Sequence, residues 1–329
     1  MIPRRAALHA LLLSPLALAC SKQGAGGASP RIAVIPKGTT HEFWKSVHAG
    51  AEKAAQELGV SVLWKGPIKV DDLKSQIDIV QGMITQGVAG IVLAPLNDKA
   101  LVGAVKAAAA AKIPVVIFDS ALQGHDYVSF VATDNEGAGK AAGEHLAKLL
   151  GDKGKVLVLR YQEGSASTAA REEGFLTAIR GHKDIVVVSD KQYGGATTET
   201  ASAASENLLA AQKAAEGGLD GIFCPNESTT FGMLLALQRA GLAGKIKLVG
   251  FDASEKLVKA LGDGQIHALV VQSPFAMGDL AVHAIVDHLH GKAPAARIDT
   301  GVRVVTKADL EDPAVKELLH PDLKKWLKE

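Results

Sequence analysis

Several apolar segments of this chain end at a polar side chain that forms strong hydrogen bonds. Asp119 follows the run VVIF, and Asp252 follows LVGF. Asn226 comes directly after IFCP, and Gln272 comes directly after ALVV. Carboxylates accept hydrogen bonds, whereas side-chain amides both donate and accept them. Because a hydroxyl group also does both, this mixture suits a neutral ligand that carries many hydroxyl groups.

Two more side chains extend this set in the second half of the chain. Arg171 stands near the start of a predicted helix, after the loop Gln162–Thr168, and presents a fork of donors. Tyr193 follows the run VVVSDKQ. We expect the whole set to line one shared cleft. For any single member, capping of a helix is the alternative, and for Asp134 a capping or hinge role is the preferred interpretation.

The stretch Pro36–Trp44 offers the matching apolar surface. Phe43 and Trp44 are adjacent large rings in a chain with only 4% aromatic residues, and His41 adds a polar group just before them. The apolar face of a sugar ring packs flat against such rings, so the pair is a candidate stacking site. The alternative for Phe43 is a place in the core. Lys37 either supplies a cation to the site or points to solvent.

The elements that must position these residues alternate regularly between strand and helix. Apolar runs without polar alternation indicate strands covered on both faces, and repeated βα units indicate parallel sheets. Predicted strands are 31–35, 61–64, 90–94, 114–118 and 128–132, then 155–159, 185–189, 221–224, 247–250 and 268–271. Two series of five strands predict an α/β protein with two similar doubly wound parallel-sheet lobes. In such sheets ligands bind beyond the carboxyl ends of the strands.

The first thirty residues have the composition of an export signal. Arg4 and Arg5 precede a short apolar run, which is below the roughly 20 residues that span a bilayer. Residues 1–19 are therefore predicted to be a signal peptide. The sequence LALAC, ending at Cys20, resembles a bacterial lipobox, which implies acylation of Cys20 and a flexible tether over 20–30. Plain signal cleavage is the alternative. Cys224 lies in an apolar run and is predicted to be buried.

The remaining motifs weigh against catalysis and nucleic-acid binding. The formal charge is +1, and no G-x-S-x-G, Walker or H-E-x-x-H motif occurs. His283, His288 and His290 do not have the spacing of a metal site, so no metal or cofactor is expected. One rival remains, since Gly137–Ala142 fits the dinucleotide fingerprint G-x-G-x-x-A of NAD-dependent oxidoreductases. Close packing of a small-residue helix near a hinge is the preferred interpretation.

Taken in order, these segments resemble the type I periplasmic binding proteins, in particular the ribose-binding-protein-like sugar binders of ABC transporters. The resemblance covers about Arg31 to Val305. It is carried by the loop 38–44 and by APLND at 94–98, VVIFDS at 115–120, ATDNEGAGKAAG at 132–143, AAREEGF at 169–175, FCPNE at 223–227, VGFDAS at 249–254 and VVQSP at 270–274.

The resemblance implies two lobes joined by a hinge of three crossings, which close over one sugar. The implied lobes are 31–133 plus 273–299, and 134–272 plus 300–329 with the tail. It assigns ligand contacts to His41, Phe43, Trp44, Asp119, Arg171, Asn226, Asp252 and Gln272, and less directly to Tyr193. The implied function is capture of a pentose, hexose or related polyol outside the cytoplasm and its delivery to an ABC permease. We expect a monomer that is attached to the membrane only through the lipid on Cys20. A sensor that presents its ligand to a receptor is the alternative.

Three positions depart from the ribose-binding pattern. Ribose binders typically have Arg where this chain has Ser120, Asn where it has Ala94 and a small polar residue near Lys37. The loss of one charged fork and one amide places ribose itself in doubt. Lys37 is a candidate replacement for the lost cation.

Overall fold

The computed structural model describes residues 29–327, and residues 1–19 and Cys20 lie outside this range. Within it the chain forms two six-stranded sheets. The first sheet has the order β11-β5-β4-β3-β1-β2, and the second has the order β12-β10-β9-β8-β6-β7. The strands are β1 Arg31–Ile35, β2 Ser61–Trp64, β3 Gly90–Leu93, β4 Val115–Phe118, β5 Ser129–Ala132, β6 Lys153–Val158, β7 Asp184–Ser189, β8 Gly221–Phe223, β9 Lys247–Phe251, β10 Ala268–Gln272, β11 Arg297–Asp299 and β12 Val302–Val305.

Helices cover both faces of each sheet, as the alternating pattern predicts. Their bounds are α1 Glu42–Leu58, α2 Leu73–Thr85, α3 Val102–Ala110, α4 Asn135–Leu150, α5 Ala166–Ile179, α6 Thr198–Ala211, α7 Glu227–Arg239, α8 Glu255–Gly262, α9 Pro274–Leu289 and α10 Pro313–Leu319. Among residues 29–327, no helix combines the length and the apolar character needed to cross a membrane.

The burial pattern of β1 shows why its apolar run is continuous. Ile32 and Val34 are fully buried in one apolar cluster, which also contains residues of α1 and α9. Ala33 and Ile35 are fully buried in a second cluster on the opposite face, with residues of α2 and α3. Successive side chains of a strand point to opposite faces, so a strand that is covered on both sides needs apolar residues at every position.

The sixth strand of each sheet was missed by the sequence prediction. Both β11 and β12 come from the last segment of the chain, and both lie at a sheet edge. β11 has the sequence RID and pairs in parallel with β5, whereas β12 pairs antiparallel with β10. Edge strands are short and partly exposed, so they do not need the continuous apolar run that marked the other strands.

The chain passes between the two sheets three times. The passages lie between β5 and α4, between β10 and α9, and between β11 and β12. As a result α4 packs on the second sheet, whereas α9 returns to pack on β3, β4 and β5 of the first sheet. We call the first sheet with its helices lobe 1 and the second sheet with its helices lobe 2.

The glycine motif at the start of α4 is a helix-packing device. A Cβ atom built on Gly139 would lie 2.0 Å from the backbone oxygen of Arg171 in α5, so only glycine allows this approach. Gly174 of α5 packs equally closely on the Glu136 backbone. Asp134 caps α4 by accepting a hydrogen bond from the Gly137 backbone N–H at 3.0 Å. The motif follows the fifth strand, and α5 occupies the space beside its glycines. Close packing of α4 on α5 therefore explains the glycines, and a dinucleotide site does not.

Replacing Gly139 by alanine is expected to destabilise the protein. The added methyl group would force α4 and α5 apart, and overpacking of this kind costs about 1–3 kcal/mol of unfolding free energy. The measurement is the free energy of unfolding in guanidinium chloride. Gly82→Ala in α2 is the matched control, because nothing lies within 4 Å of its added Cβ. The control is expected to be as stable as the unchanged protein or more so. Equal stability of both variants would contradict this account of the α4–α5 contact.

Candidate ligand-binding site

The carboxyl ends of the strands in both lobes meet at one small cavity. Apart from Val70, the side chains around it are polar or aromatic. They are Lys37, His41, Phe43, Trp44, Val70, Asp119, Tyr161, Ser165, Ser167, Thr168, Arg171, Asn226, Glu227, Asp252 and Gln272. Every candidate residue that the sequence placed in the cleft is among them, with the exception of Tyr193.

The aromatic pair forms the apolar wall contributed by lobe 1. Phe43 and Trp44 lie in the first turn of α1, and their ring planes are perpendicular, with centroids 4.8 Å apart. Trp44 also packs edge-on against Phe118 at the end of β4. Both rings are more than 90% buried and belong to the apolar cluster of lobe 1. The alternatives raised by the sequence are therefore not exclusive, because each ring packs in the core and also lines the cavity.

Lys37 and Asp119 form a buried ion pair on the lobe 1 side. The Lys37 Nζ atom lies 2.8 Å from Asp119 Oδ2, and both side chains are about 95% buried. The alternative that Lys37 points to solvent is therefore wrong. Burial lowers the pKa of Lys37, and the Asp119 carboxylate opposes this shift. Despite the short distance, Oδ2 has no hydrogen bond of good geometry among the described residues, so it keeps acceptor capacity for a ligand.

Arg171 connects several residues on the lobe 2 side of the cavity. Its Nη2 donates to Gln272 Oε1 at 3.1 Å, and its Nη1 donates to the Pro225 backbone oxygen at 2.9 Å. The guanidinium carbon lies 3.8 Å from the centroid of the Phe251 ring. Gln272 then donates through Nε2 to Asp252 Oδ1 at 2.6 Å. Burial lowers the pKa of Arg171 and raises that of Asp252, while their mutual attraction opposes both shifts.

The two aspartates occupy equivalent places in the two lobes. Asp119 follows β4, the fourth strand of lobe 1, and Asp252 follows β9, the fourth strand of lobe 2. Both have a left-handed backbone, with φ of 59° and 69°. This conformation is uncommon outside glycine, although Asp tolerates it better than most residues. Both aspartates line the cavity.

Asn226 lines the cavity but already has local partners. Its Oδ1 accepts from the Thr229 hydroxyl at 2.6 Å and from the Thr229 backbone N–H at 3.3 Å, so it caps α7. Its Nδ2 donates to the Ser228 hydroxyl at 3.1 Å. Asn226 is therefore a helix cap, which was the alternative to a ligand-binding role, and it also lines the cavity. Its second amide hydrogen remains able to donate to a ligand.

Tyr193 lies away from the cavity, where it is 42% exposed and its backbone pairs with that of Arg160. The second-lobe aromatic that does line the cavity is Tyr161, which the sequence reasoning missed. Tyr161 is separated by one residue from the end of the apolar run VLVL, so a signal like the one that identified Asp119 could have found it. The other lining residues outside the predicted set are Val70, Ser165, Ser167, Thr168 and Glu227.

The two lobes contact each other around this cavity. Lys37 Nζ lies 3.1 Å from the Ser167 hydroxyl of lobe 2, and the Ser167 backbone N–H donates to the Ser120 hydroxyl at 3.0 Å. At the rim, Val70 and Leu96 of lobe 1 form an apolar cluster with Tyr161 and Ala196 of lobe 2. The structure thus has the lobes closed on the site.

A separate group on the surface of α1 and α9 has the composition of a metal site. Glu57, Asp279 and His283 place their ligand atoms within 4.8 Å of one another. The Lys53 ammonium, however, already lies 3.0 Å from the Glu57 carboxylate and 3.1 Å from that of Asp279. It supplies the positive charge that a metal would otherwise bring.

Comparison with known proteins identifies the family to which this chain is similar. A family model described as a periplasmic binding protein domain matches residues 32–293. The ribose import binding protein RbsB of Salmonella typhimurium is 30% identical over 302 residues, which cover 91% of this chain and 98% of that protein.

Two solved structures have the same fold over their whole length. An ABC transporter solute binding protein from Agrobacterium vitis with bound D-fucose is 35% identical, with a TM-score of 0.84 over 88% of this chain and all of that one. A carbohydrate transporter solute binding protein from Agrobacterium radiobacter in complex with D-arabinose is 31% identical, with a TM-score of 0.85 over 89% of this chain and all of that one. With its two doubly wound lobes and the site between them, the chain belongs to the periplasmic binding protein family.

Proposed function

We propose that this protein captures one neutral monosaccharide between its lobes and delivers it to an ABC permease. The observation that carries the proposal is the cavity itself, which combines an aromatic wall with carboxylate, amide and guanidinium groups from both lobes. A buried hydroxyl without a partner costs about 1–3 kcal/mol, so a site with this many fixed partners selects for a matching set of hydroxyls.

In this proposal the two lobes hold different parts of the sugar. Phe43 and Trp44 stack against its ring, while Asp119 accepts from its hydroxyls on the lobe 1 side. Asp252, Arg171 and the amides of Gln272 and Asn226 bind the hydroxyls that face lobe 2. His41 and Lys37 complete the set as polar contacts of lobe 1.

The charge of the cavity favours a neutral ligand. Lys37 is paired with Asp119, and Arg171 is linked through Gln272 to Asp252. These two positive and two negative groups balance each other, and burial raises the pKa of the third carboxyl group at the cavity, that of Glu227, to about 8. An anionic or cationic ligand would therefore leave one buried charge without a counter-ion, which is strongly unfavourable.

The relatives point to monosaccharides as the ligand class. Among the similar proteins, one binds ribose by name, one binds fructose by name, and others were solved with D-fucose or D-arabinose. We propose a pentose, a hexose or a related polyol. Lys37 stands near the place of a small polar residue in ribose binders, so its ammonium is proposed to donate to a sugar hydroxyl and to shift selectivity away from ribose.

The cellular setting follows from the family and from the first residues. Family membership indicates a periplasmic or other extracytoplasmic location. We propose that residues 1–19 are removed, that Cys20 is acylated and that residues 20–30 tether a monomer to the membrane. Ligand that bridges both lobes favours the closed form, and the closed form then docks on the permease.

A thermal-shift screen tests the ligand class. Monosaccharides and polyols at 5 mM, with nucleosides and NAD as comparison, are expected to give one or a few stabilising sugars. A ligand at 100 times its dissociation constant adds about 2.7 kcal/mol to the unfolding free energy, which raises the melting temperature by several degrees. Stabilisation by NAD or nucleosides without any sugar response would contradict the proposal.

Asp119→Asn tests the lobe 1 carboxylate. Asparagine keeps the shape and tolerates the left-handed backbone at φ 59°, but it removes the charge that faces Lys37. Affinity for the best sugar, measured by isothermal titration calorimetry, is expected to fall about 10- to 100-fold, since hydrogen bonds to charged groups contribute about 1.5–3 kcal/mol. Trp44 is a poorer test because it also supports the core.

Asp152→Asn is the matched control for this substitution. Asp152 also has a left-handed backbone, with φ 61°, but its side chain is 69% exposed on the surface. The control is expected to bind sugar as the unchanged protein does. If Asp119→Asn binds with the same affinity as well, Asp119 is not a ligand contact.

A further inference from the structure

Three helices that meet at the interface between the lobes lack a side-chain cap at their own N-cap residue. They are α1 with N-cap His41, α5 with N-cap Ser165 and α8 with N-cap Ser254. The first backbone N–H groups of a helix have no partner within that helix, so they need an acceptor from elsewhere. In this structure each of the three helices finds its acceptor in the opposite lobe.

The clearest case is α8 in lobe 2. The carboxylate of Glu42, the first residue of α1 in lobe 1, accepts from the Glu255 backbone N–H of α8 through Oε2 at 2.9 Å. A carboxylate at a helix N-terminus is stabilised both by this hydrogen bond and by the helix dipole.

The second case is α5, the helix that carries Arg171. The hydroxyl of Ser120 in lobe 1 accepts from the Ser167 backbone N–H at 3.0 Å and lies 3.3 Å from the Ser167 hydroxyl. Ser120 is fully buried. It stands at the position where ribose binders typically carry an arginine, so this chain uses the position for a contact between the lobes.

The third case runs in the reverse direction. Glu227 of α7 in lobe 2 accepts from the Phe43 backbone N–H at the start of α1, with a longer distance of 3.5 Å. The Glu227 backbone N–H also donates to Asp252 Oδ2 at 3.0 Å. This cap is thus joined to a carboxylate of the proposed sugar site.

We propose that Glu42, Ser120 and Glu227 are positioning residues that hold the lobes closed by capping helices of the opposite lobe. The inference rests on the proposed function, because closure matters for capture of a ligand between the lobes. Opening the lobes would separate each acceptor from its helix. The caps therefore contribute to the closed form alone, and through it to ligand affinity.

The test compares three single alanine variants and the triple variant with the unchanged protein. Calorimetric titrations use D-ribose, D-arabinose and D-fucose. Loss of a helix cap costs about 1 kcal/mol, so each of Glu42→Ala and Ser120→Ala is expected to raise Kd about fivefold. Glu227→Ala is expected to have a smaller effect, because its hydrogen bond is longer. Small-angle X-ray scattering without sugar is expected to give a larger radius of gyration for the triple variant.

Two control variants separate closure from ordinary stability. Ser129→Ala removes a buried hydroxyl that bonds to the Ala295 backbone within lobe 1. Glu136→Ala removes a first-turn glutamate that pairs with Lys140 of its own helix. Both controls are expected to lower the melting temperature as the test variants do, but to leave Kd and the radius of gyration unchanged.

A pH profile adds a readout that a purely structural role would not change. Burial, together with the nearby Asp252 and Glu42 carboxylates, raises the pKa of Glu227 to about 8. The other charged or titratable groups that line the cavity are Lys37, His41, Asp119, Tyr161 and Arg171. Closure then takes up a proton, so affinity is expected to be highest at low pH and to fall severalfold as pH rises from 6 to 9. Glu227→Gln, which keeps an uncharged acceptor, is expected to flatten this profile.

The outcomes separate this inference from the proposed function. If the unchanged protein binds none of the three sugars but the triple variant is more open in scattering, the capping proposal is supported and D-ribose, D-arabinose and D-fucose are excluded as ligands. If sugar binds, and the triple variant has the Kd and the radius of gyration of the unchanged protein, the capping proposal is overturned. It is also overturned if neither protein binds sugar and the two radii of gyration are equal.

Discussion

The pairing of buried charges is the constraint on which this site depends. Lys37, Asp119, Arg171 and Asp252 all lie less than 7% exposed at the junction of the lobes. An isolated buried charge is very unfavourable, and a buried pair is tolerated only with good geometry and further hydrogen bonds. Lys37 lies 2.8 Å from Asp119 Oδ2 and donates to the Ser167 hydroxyl, and Arg171 donates to Gln272 and to the Pro225 carbonyl oxygen. Hydroxyls of a sugar would satisfy the lone pairs and N–H groups that remain.

The two lobes use the same structural arrangement to bring their carboxylates to one cavity. In each lobe an aspartate with a left-handed backbone ends the fourth strand, and the two carboxylates face one cavity. Close crossing of α4 and α5 at Gly139 brings the backbones of the two helices together at Arg171, so a packing glycine helps to position a cation that lines the cavity. The three chain passages keep both lobes attached near the site, which lets their closure act directly on the ligand.

Much of this arrangement could be predicted from the sequence, because strand ends and apolar periodicity are local signals. They placed ten of the strands within about two residues, and they brought Asp119, Asp252 and Gln272 to one cavity. The edge strands β11 and β12 were missed because their pairing depends on distant parts of the chain. Tyr193 was misplaced and Tyr161 overlooked, since spacing alone does not tell which way a side chain points after a strand. The caps across the lobes join residues more than 40 positions apart, so no local pattern marks them.

We propose that one sugar ring lies between the aromatic pair of lobe 1 and the Arg171–Gln272–Asp252 network of lobe 2. A crystal structure of the protein grown with its best-binding monosaccharide tests this claim most directly. We expect one sugar in closed lobes, stacked on Phe43 or Trp44 and within hydrogen-bond distance of both Asp119 and Asp252. A sugar bound outside the cleft, or one that contacts neither carboxylate, would contradict it.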